Sequence, residues 1–186
     1  MKRQNVKERI IEAASHLFYF EGYNQTGINK ILKEANVSKD SMYRHFRSKE
    51  DLAVAYLKGL YATWMEDLIV YVESKKTGEE KVIASFDYLN TWLNEVEYRG
   101  CGWQNIYTDL PEDQNKIKDQ VLLHKTLLRE WVQNLLIEDK KRSAKESKEL
   151  GDEIIVLLEG ALITTQIQND LWPIETAKRA CIKLLI

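Results

Sequence analysis

Lys39, Asp40, Ser41, Tyr43, Arg44 and His45 place six polar or charged side chains within one short stretch. Their chemistry suits nucleic acid. Arginine bonds bidentately to guanine O6 and N7, aspartate accepts from cytosine N4, and a hydroxyl or a helix N-terminus binds phosphate. The sequence offers little for catalysis. It has no glycine-rich phosphate loop, no HExxH and no repeated ExxH pattern. His16 and His124 lie far in sequence from His45, and Cys101 and Cys181 form no CxxC pair, so neither a metal site nor a cofactor is expected. Nothing in the sequence brings Cys101 and His124 together as nucleophile and base. A non-enzymatic protein is expected.

Two short helices and the start of a third must position the polar stretch. Thr26 to Leu52 reads TGINKILKEANVSKDSMYRHFRSKEDL. Thr26 is expected to cap a helix whose apolar residues Ile28, Ile31, Leu32 and Ala35 share one face. Asn36-Val37 breaks it. Ser38 is a second N-cap candidate, with Asp40 in the first turn, where the helix dipole favours a negative charge, and with Met42 and Phe46 as apolar anchors. Ser48 and Asp51 resemble a capping box. Two short helices around a tight turn, the second rich in polar groups, are the sequence form of a helix-turn-helix, and the implied partner is double-stranded DNA.

The charge distribution agrees. Net charge over 186 residues is −2, yet residues 1–50 hold ten Lys/Arg against six Asp/Glu, a net of +4, which leaves −6 for the rest. A basic head on an acidic body fits a small DNA-reading domain joined to a larger one. Two prolines, eight glycines and helical apolar periodicity almost throughout indicate an all-α fold. The charged start lacks the apolar segment of a signal peptide, and the longest apolar run, Ile154 to Leu158, is too short to span a bilayer. A reducing cytoplasm and no membrane association are expected.

Val6, Ile10, Ala14, Leu17 and Phe18 give a first amphipathic helix ending near Gly22, with Lys2, Arg3, Lys7 and Arg9 as candidate phosphate anchors. This helix, the turn Phe20-Glu21-Gly22-Tyr23-Asn24-Gln25-Thr26, and then I-x-x-I-x-x-x-A-x-V-S-x-x-x-x-Y-x-H-F-x-S-K-E-x-L resemble the N-terminal domain of TetR-family transcriptional regulators over residues 6–52. The resemblance implies a dimer that reads a palindromic operator with the second helix of the motif. It implies that Lys39, Asp40, Ser41 and Arg44 face bases and that Thr26, Tyr43, His45 and Lys49 hold phosphates. It also implies a domain division at 1–48, the DNA-binding part, and 49–186, a helical bundle for effector binding and dimerisation. Asp40 departs from the small residue common there.

From Lys49 a long helix is expected to about Ser74, joining head to body, and another from Val82 to about Arg99. Gly100-Cys101-Gly102 with Asn105 resembles a G-C-x-x-x-N pattern of one TetR branch, in which Cys101 is either a packed side chain or a thiol sensor. Pro111 is expected at the first position of a helix that continues through Ile117, Val121, Leu128 and Leu136. Asp139–Lys148 reads as a solvated connection. Gly151–Leu171 is apolar on many sides and is followed by a last amphipathic helix. These two helices are expected to form the homodimer interface, through Ile155, Leu158, Gly160, Leu162, Ala177, Cys181 and Leu184. Trp64, Trp92, Trp103, Tyr107, His124 and Gln166 are candidates to line a small-molecule effector pocket between helices. The function expected is a ligand-responsive DNA-binding repressor. The alternatives are a thiol-responsive regulator acting through Cys101, or a helical small-molecule-binding or interaction protein whose DNA head no longer reads sequence.

Overall fold

Local capping sets most helix boundaries in the computed structural model, which describes residues 5–186. Among these residues there are nine helices and no strand: α1 (Val6–Phe20), α2 (Ile28–Ala35), α3 (Lys39–His45), α4 (Lys49–Val72), α5 (Gly78–Glu95), α6 (Gly102–Thr108), α7 (Asn115–Glu138), α8 (Ala144–Gln168) and α9 (Trp172–Leu185). No helix is long and apolar enough to cross a membrane. The chain divides into two compact units. One runs up to Ala62 and includes Gly102–Leu123; the other comprises Thr63–Cys101 and His124–Ile186. Lys2 and Arg3, the first two expected phosphate anchors, lie outside the described residues.

In the first unit, Asn5 and Glu8 form a capping box that starts α1, and the chain leaves α1 through Gly22 at φ +94°, a value glycine tolerates. The cap expected at Thr26 falls one residue later. Gly27 is the N-cap of α2, and the Thr26 hydroxyl is buried and donates to the carbonyls of Gly22 (2.7 Å) and Leu17 (3.3 Å). Asn36, in the left-handed region at φ 51°, ends α2, and Arg9 donates to the carbonyls of Ala35 (3.1 Å) and Asn36 (3.3 Å). Ser38 caps α3 by accepting from Ser41 N at 3.2 Å. Met42 and Phe46 turn inward onto a core that includes Ile10, Leu17, Phe18, Ile31, Leu52 and Leu57. Ser48 accepts from Asp51 N at 3.0 Å at the start of α4.

Helix α6 packs in this unit because Gly102 has no side chain. A Cβ there would lie 2.8 Å from both the Tyr56 hydroxyl and Leu60 Cδ2. Pro111 does not open α7. It sits in the turn before Asn115, because α7 begins only after Gln114, whose amide N is bonded back to the Pro111 carbonyl at 3.4 Å.

In the second unit, the expected solvated connection at 139–148 is largely structural. The Asp139 carboxylate accepts from Gly78 N (2.6 Å) and Glu79 N (2.8 Å), adding to the Thr77–Glu80 capping box of α5. Ser143 caps α8, so Ala144–Lys148 is already helical. Gly78 is obligatory, since a Cβ would come 1.9 Å from the Leu135 carbonyl oxygen. Helix α9 packs against both α8 and α5, and Ile154, Leu158, Ala161, Leu162, Ile174, Ala177, Cys181 and Leu185 on α8 and α9 are all buried.

Candidate nucleic-acid interface

Helix α3 owes its orientation to two side chains. Met42 and Phe46, four residues apart, anchor one side in the core, and this leaves Lys39, Asp40, Tyr43, Arg44 and His45 exposed, with Ser41 half-buried beside the Ser38 cap. Among the described residues neither Asp40 nor Arg44 forms an ion pair, so carboxylate and guanidinium are both presented to solvent. The sequence passed over Arg47. It is exposed in the turn between α3 and α4.

Two expected phosphate contacts stand elsewhere. The Thr26 hydroxyl donates to the Gly22 and Leu17 carbonyls and is fully buried, so it does not face a ligand. Lys49 Nζ donates to the Tyr23 carbonyl and sits 4.0 Å from the centre of the Tyr23 ring. Burial pushes the Lys49 ammonium pKa down, against the opposing pull of Asp109. Tyr23 is itself raised to about 12 by burial and by the charges of Glu50 and Asp113, and its hydroxyl bonds Gln114 Oε1 at 2.8 Å. Lys49 is thus a strut of the turn before α2 in this geometry, held there by a carbonyl and a ring that lie 26 residues back.

The same unit carries a second set of ties to that turn. Asp109, at the end of α6, accepts from Asn24 N at 2.7 Å and from Asn24 Nδ2 at 3.3 Å. Lys116 bonds Asp51 at 2.6 Å, which holds the Asp51 carboxyl below its ordinary range, and the Lys116 backbone donates to Glu50 at 2.9 Å.

Of the pocket candidates, Trp64 and Trp92 meet in the second unit with ring centroids 6.1 Å apart, and Tyr88 lies 5.7 Å from Trp64. His124 is buried and Gln166 half-buried there, with Gln166 Oε1 2.4 Å from where a Gly100 Cβ would stand. Trp103 belongs to the first unit and is buried, its ring 6.2 Å from that of Tyr61, whereas Tyr107 is 52% exposed. Cys101 is buried, with Lys125 Nζ 3.4 Å from its sulfur and Glu159 bonded to the same ammonium at 2.6 and 2.7 Å. Burial works to lower the Lys125 pKa, but its interactions with the Cys101 sulfur and the Glu159 carboxylate outweigh that and raise it.

Of the residues expected at an interface on α8 and α9, Leu158, Leu162, Ala177 and Cys181 are buried within the second unit. Gly160 and Leu184 are exposed and Ile155 is half-buried, while Val156 (71% exposed) and Ile167 (73%), which the sequence reading passed over, lie outward. A groove of about 690 Å³ runs over this side, lined by Val156, Leu157, Ala180 and Leu184 with Asp152, Glu153 and Lys183.

An all-helical chain whose first unit exposes the polar side of a capped, core-anchored second helix belongs to the class of helix-turn-helix DNA-binding proteins. The comparisons with known proteins specify it. Residues 10–56 match the family described as bacterial regulatory proteins, tetR family. The chain is 26% identical over 181 residues, 93% of its length and 89% of the other's, to an HTH-type transcriptional regulator in the lacX 3' region of Lactococcus lactis. The crystal structure of a TetR transcriptional regulator from Legionella pneumophila superposes with a TM-score of 0.80 at 26% identity, covering 98% of both chains. SCO4454 of Streptomyces coelicolor, a TetR-family regulator, shares the fold with a TM-score of 0.86, covering 97% of this chain and 88% of its own at 24% identity. Residues 10–56 thus match the TetR family of bacterial transcriptional regulators, and over its length the chain is similar to TetR-family regulators of known structure. Members of this family are DNA-binding transcription factors, not enzymes.

Proposed function

We propose that this protein is a cytoplasmic homodimeric repressor that leaves a palindromic operator when a small molecule binds its helical body. The observation that carries the reading is the exposed polar side of α3, fixed by Met42 and Phe46 within a head that matches the family. Among relatives, the E. coli protein NemR, 27% identical over 62% of this chain and 61% of its own, is an HTH-type transcriptional repressor. The functional division falls at 1–48 for DNA and 49–186 for effector and partner. Asp40, Ser41 and Arg44 face bases, and Lys39, Tyr43, His45 and Arg47 face phosphates. Trp64, Trp92, His124 and Gln166 contribute to effector recognition in the body. A second copy covers the outward side of α8 and α9 around Val156, Gly160, Ile167 and Leu184, where an apolar groove supports the assignment.

Half-sites then lie about 34–36 Å apart, or a multiple of that, if each head reads one major groove. By linkage, operator DNA weakens effector binding by the factor through which effector weakens DNA binding. The test is fluorescence anisotropy on labelled DNA from upstream of the protein's own gene, at two salt concentrations and against scrambled competitor. Tight binding that survives the competitor, and is released by a small molecule in a subsequent screen, is the expected result. Equal binding to scrambled DNA, with no sequence enriched from a random pool, refutes the reading.

A further inference from the structure

An α-helix turns about 100° per residue, so with buried Met42 as the zero direction, Asp40 lies at about 160° and Arg44 at about −160°. Phe46, the other anchor, falls within about 40° of Met42. Asp40 and Arg44 therefore share the crest of α3 opposite its core anchors, while Ser41 and His45 lie down one flank and Lys39 and Tyr43 down the other. The burial pattern agrees: Met42 and Phe46 are buried, Ser41 is half-buried, and Asp40 and Arg44 are exposed. Aspartate and arginine four residues apart on a helix are within ion-pair reach. Here they do not pair, so each keeps its hydrogen-bonding capacity for something else.

Resting on the operator-binding reading above, we propose that Asp40 and Arg44 determine this regulator's base preference, Asp40 by reading a cytosine and Arg44 a guanine, with Lys39 acting from the flank on the DNA backbone. Four residues of helix rise about 6 Å, and base pairs about 3.4 Å, so the two bases lie within about two steps of each other. Asp40 works as much by rejection as by attraction. Thymine O4 and guanine O6 and N7 are acceptors that repel a carboxylate, and adenine N6 has the N7 acceptor beside it. Cytosine alone offers an amino donor with no neighbouring acceptor in the major groove. Because DNA surrounds the helix with negative charge, a carboxylate on the crest weakens binding wherever that donor is missing.

The experiment is selection from a random DNA pool with the full chain, carrying the native sequence, Asp40→Asn, Asp40→Ala, Arg44→Ala or Lys39→Ala, followed by anisotropy on single-base-pair variants of the enriched site. The native protein is expected to enrich a half-site holding a cytosine and a guanine within about two steps. Asp40→Asn shifts the cytosine position toward adenine, whose N6 and N7 suit an amide, and costs the cytosine preference about tenfold or more. Asp40→Ala makes that position degenerate, Arg44→Ala relaxes the guanine, and Lys39→Ala weakens binding to all sites without changing the consensus. A native consensus whose cytosine survives in both Asp40 variants overturns this proposal and leaves the regulator reading standing. A native protein that enriches no consensus overturns both.

Discussion

Replacing Asp109 with alanine removes a carboxylate that accepts two hydrogen bonds from Asn24, at 2.7 Å from the backbone N–H and 3.3 Å from the side-chain amide. Asn24 lies in the turn leading to α2, and Asp109 follows α6, so the tie joins α6 to the base of the helix-turn-helix within one unit. A hydrogen bond to a charged group contributes about 1.5–3 kcal/mol when buried, and exposure of Asn24 reduces this, so the pair of bonds contributes about 1–2 kcal/mol. For a chain of this size that lowers the melting midpoint by about 2–8 °C. The specific readout is hydrogen exchange at the Asn24 amide, which should lose protection in Asp109→Ala while the amides of α2 that bond within the helix keep theirs. Unchanged Asn24 protection and an unchanged midpoint would refute the reasoning, since the tie would then hold nothing.

Lys49→Met removes the bond to the Tyr23 carbonyl and the cation over its ring; it should lower the thermal stability of the head by about 1–3 kcal/mol while leaving the salt dependence of DNA affinity unchanged, which separates a strut from a phosphate contact. Val156→Asp should convert the dimer to a folded monomer in analytical ultracentrifugation, whereas Leu158→Ala, which opens a cavity where a buried side chain stood, should cost about 2–5 kcal/mol in denaturant unfolding and leave a dimer at high protein concentration. Burial raises the Cys181 thiol from its ordinary 9.0 to about 12. A folded-state pKa above the unfolded one means that the stabilisation is fully present below the unfolded value and is lost as pH rises through the window to about 12; chemical denaturation midpoints should fall across that window, and Cys181→Ala should flatten the fall.

The parts of the fold legible in sequence were those decided within one or two helical turns. Ser38, Met42 and Phe46 specify α3 by a cap and an apolar pair four residues apart, and Asn36 stops α2 because it tolerates the left-handed region. The misreadings share one cause, a partner distant in sequence. Thr26 resembles an N-cap, but the Gly22 and Leu17 carbonyls capture its hydroxyl, leaving Gly27 in that position. Lys49 belongs to a phosphate-binding pattern by type, yet folds back onto Tyr23. Asp139 sits in a charged run that reads as solvated, although its carboxylate serves a helix start 61 residues earlier. In α8 both sides are apolar, so periodicity has no polar face with which to tell Leu158, inside, from Val156, outside.

The same long-range contacts change what the head's charge implies. Ten Lys/Arg in residues 1–50 would suggest an extensive phosphate footprint. Yet Arg9 closes the end of α2, Lys30 is paired with Glu21, and Lys49 is held by Tyr23, so these three charges are already engaged inside the head. On and just after α3 the exposed cations are Lys39, Arg44 and Arg47, and of these Arg44 lies on the crest of the helix. With Arg44 reading a base, Lys39 and Arg47 are left to offset phosphates, two cations per head and four per dimer, which give a slope of about −4 for log affinity against log salt, where each neutralised phosphate contributes about −0.9. Counting every basic residue of the head would predict a slope several times steeper. Arg47→Ala should shift the measured slope by about +2, because it removes one cation from each of two heads, and should weaken operator and random DNA alike. A slope near −4 that moves in this way assigns the electrostatic affinity to the surroundings of α3. A much steeper slope, insensitive to Arg47, assigns it to cations elsewhere in the head.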